Sequence, residues 1–241
     1  MELWFYILLP LVAFMYAAVG HGGASGYLAL MALFGISTIV MKPTALILNL
    51  FVAGISFYQF YRKGFFKWRM FYPFVITSIP ASFIGGYLSV SSEIYKQILG
   101  VLLLFAVMRM LGLFGTPNSK SSELKLWVGL LFGGLIGFFS GLIGIGGGII
   151  LSPILLLFGW ASVKETAAIS ALFIWVNSLS GLLGLMTSGV ELHSHYLILI
   201  ALALVGGLTG AYFGSSVLQN KSLSRFLSLV LLLAAIKLIA T

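Results

Sequence analysis

Gly144-Ile145-Gly146-Gly147-Gly148 interrupts a long apolar stretch, leaving runs at 124–143 and 147–159 on either side of the break. Gly20-His21-Gly22-Gly23 does the same between runs at 3–19 and 27–41. The clusters superpose at an offset of 124, with Gly20, Gly22 and Gly23 falling on Gly144, Gly146 and Gly147. Further out, Lys42-Pro43-Thr44-Ala45 falls on Lys164-Glu165-Thr166-Ala167 at 122, Gly85-Gly86-Tyr87 on Gly210-Ala211-Tyr212 at 125, and Arg109 on Lys237 at 128. Offsets that drift so little indicate an internal duplication. The chain divides into a first repeat at 1–115, a linker at 116–123 and a second repeat at 124–241.

Six further apolar runs, at 44–61, 71–90, 96–114, 165–187, 195–215 and 222–240, bring the total to ten. Most approach the ~20 residues that cross ~30 Å of hydrocarbon. Residues are 61% hydrophobic and 7% charged, and the mean hydropathy is +1.14. A water-soluble domain carries about 25% charged residues, so the solvent for most of this surface is the lipid bilayer. The expected fold class is all-α, a polytopic integral membrane helical bundle. The net charge of +8 fits Lys and Arg marking cytoplasmic loops; no basic run interleaved with aromatics points to nucleic acid. The absence of cysteine excludes disulfides and thiolate chemistry. The run at 3–19 lacks a basic leader and has a counterpart in the second repeat, so it reads as a retained span.

Each repeat holds five apolar segments, or three crossings and a re-entrant pair if the elements beside the glycine clusters dip back. Both counts are odd, so the second repeat inserts the other way up, an inverted-repeat arrangement with a substrate site expected at the repeat interface. Loop charge agrees. With all ten segments as crossings, one side holds Arg62, Lys63, Lys67, Arg69, Arg109, Lys120, Lys125, Lys164, Lys221 and Arg225, and the other only Lys42, Lys96 and Lys237. The first side is then cytoplasmic, with the linker, and both termini lie outside the cytoplasm.

A glycine-rich break before an apolar run frees backbone N–H groups at a helix start, where the dipole favours an anion. Gly22, Gly23 and Ser25 and their counterparts Gly146, Gly147 and Gly148 are therefore candidate substrate-binding residues, with close packing as the alternative role. If their N–H groups face a substrate, a Cβ at Gly147 or Gly23 would block it. A nucleotide loop is excluded because no Gly-Lys-Ser/Thr ending and no preceding strand is present. His21, inside the first cluster, is a candidate proton or anion contact; His193 and His195 read as solvated loop residues. Asn49 and Ser56 are seven residues apart, as are Ser170 and Asn177, and the pairs are related by an offset of 121. Seven residues is close to two turns, so each pair lines one helical stripe, either completing an anion site or bonding between helices. Gln59, Trp175, Ser178 and Thr209 are weaker candidates of the same kind.

The segment Gly137 to Pro153, with Lys164-Glu165-Thr166-Ala167-Ala168-Ile169-Ser170 and Gly210-Ala211-Tyr212-Phe213-Gly214, resembles the TauE/SafE sulfite-exporter family, also called the toluene-sulfonate uptake permeases. The first repeat carries weaker copies, and its Gly20-His21-Gly22-Gly23-Ala24-Ser25 is less regular than the second cluster. The resemblance implies a plasma-membrane permease for sulfite, sulfonates or related sulfur-containing anions.

The expected function is thus alternating-access transport of a small sulfur-containing anion, with no cofactor and no metal. A passive anion channel shares the same features, as does a non-catalytic membrane subunit of a larger complex, and homo-oligomerisation is left open. An intramembrane enzyme is disfavoured: the acids are Glu2, Glu93, Glu123, Glu165 and Glu191, all at span ends or in loops.

Overall fold

The computed structural model describes residues 3–18, 22–113, 124–190, 196–216 and 221–240. These form ten helices and, among the described residues, no strand: α1 (Leu3–Ala18), α2 (Ala24–Leu33), α3 (Thr38–Arg62), α4 (Trp68–Tyr87), α5 (Ser92–Met110), α6 (Leu126–Ile143), α7 (Gly148–Leu157), α8 (Val163–Thr187), α9 (Tyr196–Ser216) and α10 (Lys221–Ala240). Helices α3, α6 and α8 are long and apolar enough to cross a membrane by length and composition.

One sequence expectation is corrected. The boundary between the second and third segments does not fall at Lys42-Pro43. It falls at residues 34–37, where Gly35 takes a left-handed φ of 68° and ends α2. Helix α3 then runs through Pro43. A proline this close to a helix start removes one backbone bond, and the Thr44 hydroxyl donates to the Val40 carbonyl in the same turn (2.6 Å). The start of α8 carries a capping box: Ser162 N–H donates to Glu165 Oε2 (2.8 Å) and Glu165 N–H to Ser162 Oγ (3.4 Å).

The broken segments are hairpins. Helix α2 turns back along α1, so that the Phe34 ring comes to 5.7 Å from Phe5. In the second repeat, α7 brings Trp160 back to 6.2 Å from Phe74, the level at which the first turns of α6 pack on α4. Each hairpin ends on the face where it began. It contributes no net crossing in place of two, which leaves the sidedness of every loop outside the two hairpins as inferred from charge. The face where α1 begins and α10 ends, here the terminal face, is joined by Thr38 and Ser92 hydroxyls 2.9 Å apart and by Lys237 donating to the Leu33 carbonyl (2.9 Å). The opposite, basic face carries the Lys67–Glu165 ion pair (2.8 Å), and the hydrogen bond and charge of Glu165 hold the Lys67 ammonium above its ordinary pKa.

Helix pairing respects the duplication. Exchanging the repeats turns the α4–α6 contact into α9–α1 and α4–α8 into α9–α3, and maps α3–α8 and α5–α10 onto themselves. The central pair, α3 and α8, runs antiparallel: Leu46 lies by Gly181, Gly54 by Trp175, and Phe60 packs with Ala167 and Ala168.

Without a hydrophobic drive inside lipid, such pairs depend on close approach. Gly133, Gly137 and Gly141 recur every four residues on α6, and a Cβ on each would strike the carbonyls of Phe74, Ser78 and Ser82 on α4. Gly206 and Gly210 of α9 meet the Pro10 and Phe14 carbonyls of α1 in the same way. Gly137→Val is therefore expected to destabilise the protein by about 1–3 kcal/mol, the usual range for overpacking, seen as a lowered melting temperature in detergent. An unchanged melting temperature would contradict the α4–α6 packing.

Candidate functional site

The two breaks converge on one place. Asn49 and Ile174 lie near the middle of the two 25-residue helices α3 and α8, each of which spans about 37 Å. A Cβ on Gly22 would stand 2.8 Å from Asn49 Oδ1 and 2.8 Å from Ile174 Cγ2. A Cβ on Gly146 would stand 2.6 Å from Asn49 Nδ2 and 2.8 Å from the same Ile174 atom. Both arms thus lean on the same two side chains, one from each long helix. Asn49 Nδ2 donates across the interface to Ser178 Oγ (3.1 Å).

The half-helices α2 and α7 start beside this junction, after Gly23 and Gly147 in left-handed conformations with φ of 93° and 77°. Only glycine adopts such angles without strain. From the junction α2 runs to the terminal face and α7 to the basic face. The first N–H groups of each helix have no acceptor within it and point back to its start, so two positive dipole ends face one another across Asn49 and Ile174.

Buried polar atoms of the central helices and of α2 have no hydrogen-bond partner among the described residues: Asn49 Oδ1, Asn177 Oδ1, Ser56 Oγ and Tyr27 Oη. Buried polar groups are nearly always paired. Unpaired ones on the central helices leave hydrogen-bonding capacity that a water or a polar solute would satisfy.

The sequence-selected residues do not all meet here. Gly22, Asn49 and Gly146 do, and Gly148 packs on Ile174. Because α3 and α8 are antiparallel, Asn49 comes level with Asn177, whose Nδ2 donates to the Phe173 carbonyl (2.8 Å). The same register sets Ser56 and Ser170 at a similar level, about two turns nearer the basic face. Ser170 is tied through its hydroxyl to Ser152 (2.8 Å), which bonds the Gly148 carbonyl (2.6 Å), so it anchors α7 to α8. Ser25 donates to the Tyr16 hydroxyl within its own hairpin (3.0 Å). The Cβ directions at Gly147 and Gly23 lead to Ile136 and Phe173 and to the Tyr27 ring, away from the junction. Thr209 bonds carbonyls of its own helix. His21, His193 and His195 lie outside the described residues. Sequence reasoning gave Ile174 and Tyr27 no role and Ser178 a minor one. The apolar Ile174 carries no signal of its own, whereas Ser178 adjoins Asn177.

No group of His, Asp and Glu that would hold a metal occurs among the described residues. The described acids, Glu93 and Glu165, stand in the first turns of α5 and α8, far from the junction.

Apolar helices of spanning length, close-packed through glycine and broken by two hairpins that meet mid-bundle, define a polytopic helical membrane protein. The chain matches the family described as "Sulfite exporter TauE/SafE" over residues 5–238 and belongs to it. It is 37% identical over 239 residues to a probable membrane transporter protein of Sinorhizobium fredii, covering 95% of this chain and 94% of the relative. It is 31% identical over 207 residues to a probable membrane transporter protein of Methanocaldococcus jannaschii, covering 79% and 77%. No solved structure matches the chain. The protein is a membrane transporter.

Proposed function

We propose that the protein is a secondary transporter for sulfite, sulfonates or related small sulfur-containing anions, working by alternating access between two inverted repeats. It resides in the cell membrane with both termini outside the cytoplasm. The observation that carries this reading is the meeting of two half-helix starts on Asn49 and Ile174. Opposed dipole ends and neutral donors bind an anion without a fixed charge, which leaves it free to depart. The antiparallel run of the equivalent helices α3 and α8 supports inversion, and the family description supports the sulfur oxyanion. The Asn49 amide and backbone N–H groups would orient the anion, and His21 would tune charge or pass a proton.

The test uses purified protein in liposomes with radiolabelled sulfite and methanesulfonate. Saturable uptake, accelerated by unlabelled substrate on the opposite side, is expected, and choline or neutral sugars should not compete. Flux without such counterflow would replace the carrier with a passive channel, and no flux would point to a subunit that needs a partner. Orientation is checked in intact cells by externally applied thiol reagent, which should label Val90→Cys and spare Phe65→Cys. The reverse pattern would overturn the sidedness.

A further inference from the structure

Lys42 is a charged residue inside a membrane-spanning helix, and it is 7% exposed. Its ammonium donates to the carbonyls of Gly85 (3.3 Å), Gly86 (2.9 Å) and Leu88 (3.2 Å) at the end of α4. It also lines a cavity of about 350 Å³ at the terminal face. The other polar residues that line it are Thr38, Ser89, Ser91, Ser92, Tyr95 and Ser188, and no carboxylate lines the cavity among the described residues. Glu93, on the first turn of α5, is exposed and is not one of its walls. The cavity borders the end of α6. Leu142 forms part of its lining, Tyr95 Oη donates to the Ile143 carbonyl (2.7 Å), and a Cβ on Gly144 would stand 3.0 Å from the Lys42 carbonyl. The floor is therefore the start of the arm that carries Gly146 to the central junction.

Among the described residues the Lys42 ammonium meets three carbonyl dipoles and no carboxylate, so its N–H groups are satisfied while its charge is not neutralised. Packing of the repeat does not force the arrangement, because the matched Lys164 is exposed, with its Nζ 5.1 Å from the Phe65 ring. A small oxyanion in the cavity would meet the Lys42 charge, several hydroxyls and the start of α5, where Ser91 Oγ accepts from Ile94 N–H (3.4 Å). A cation or an apolar solute would gain none of these.

We propose that this cavity is an anion-binding vestibule on the terminal-face side of the transport path, in which Lys42 supplies the charge that receives a small oxyanion before it reaches the junction or after it leaves. The proposal rests on the transport reading above and adds a second site to it. The vestibule serves one face only, which separates it from a structural role for Lys42 as a clamp on α4. The clamp would act on transport from both faces alike.

The experiment measures KM for methanesulfonate from each face separately, in liposomes holding the full chain in one orientation, for the unsubstituted protein and two variants. Lys42→Met removes the charge. Ser91→Asp leaves the Lys42 bonds intact, keeps a capping oxygen at the start of α5 and places a carboxylate on the cavity wall, so it stays informative even if Lys42→Met fails to fold. For substrate presented at the terminal face, KM should rise about tenfold or more in each, the change expected for losing one charged contact, while KM from the basic face changes little. Equal changes from both faces, or no change in Ser91→Asp, overturn the vestibule and leave the transport reading standing. Absence of transport by the unsubstituted protein overturns both.

Discussion

Gly22→Ala is expected to cost the protein its anion response while leaving it folded. Gly22 has no positive φ, so the backbone accepts alanine, and the new methyl lands between Asn49 Oδ1 and Ile174 Cγ2, each 2.8 Å away. Those atoms must move apart, and with them the arms that bring α2 and α7 to the junction. Gly147→Ala is the contrasting change. There φ is +77° and the Cβ meets Ile136 at 2.8 Å and Phe173 at 2.9 Å, an apolar contact off the junction. Left-handed strain of roughly 1–2 kcal/mol should lower the melting temperature of Gly147→Ala, yet added sulfite should still raise it. For Gly22→Ala the sulfite-dependent rise should vanish, because a ligand stabilises only in proportion to its affinity for the folded state. A full sulfite response in Gly22→Ala would remove the junction from the site.

Asn49→Asp should abolish transport and spare the fold. The substitution keeps the side chain's shape and its place between Gly22 and Gly146. It sets a carboxylate beside two half-helix starts, where the dipoles favour negative charge, and the Ser178 hydroxyl can turn from acceptor to donor. The carboxylate then acts as a tethered anion in the position proposed for the substrate. Uptake of radiolabelled methanesulfonate should fall by about a hundredfold or more, which at about 1.4 kcal/mol per tenfold is the scale of one strong charged interaction. Asn49→Ala should be milder, since it removes a donor without adding repulsion. Transport retained in Asn49→Asp, or an equal loss in both variants with a lowered melting temperature, would mean that Asn49 serves only to hold α3 against α8.

Much of the candidate site was legible in the chain because its signals are local. A glycine cluster between apolar runs reads as a break wherever it occurs, and two clusters at one offset read as a pair. The same local reading misplaced the start of α3. Lys42-Pro43 looks like an interruption in one dimension, whereas in the bundle the lysine folds against the end of α4 and the proline costs a single backbone bond. It named Gly22, Gly23, Gly146, Gly147 and Gly148 together as candidates and could not tell their Cβ directions apart. Cβ direction around a non-helical turn depends on φ and ψ at each residue, and in the structure it leads to Asn49 and Ile174 from Gly22 and Gly146 and to other side chains from Gly23 and Gly147. The matched stripes were found by periodicity, but Asn49 ends level with Asn177, and Ser170 with Ser56, because the two helices run in opposite directions.

The sequence by itself determined the solvent, the helical class, the number of segments and the two breaks. Each depends on composition or on spacing along one helix, where 3.6 residues per turn and the length of a hydrocarbon crossing leave few choices. Only the tertiary structure decided that the short elements turn back as hairpins, that both arms share Asn49 and Ile174, and that Lys42 is buried while its repeat counterpart Lys164 is exposed. Those outcomes depend on which helices lie side by side. In lipid, that choice rests on where backbones can approach through glycine and where a buried polar group finds an acceptor, and both conditions join residues that stand far apart in the chain.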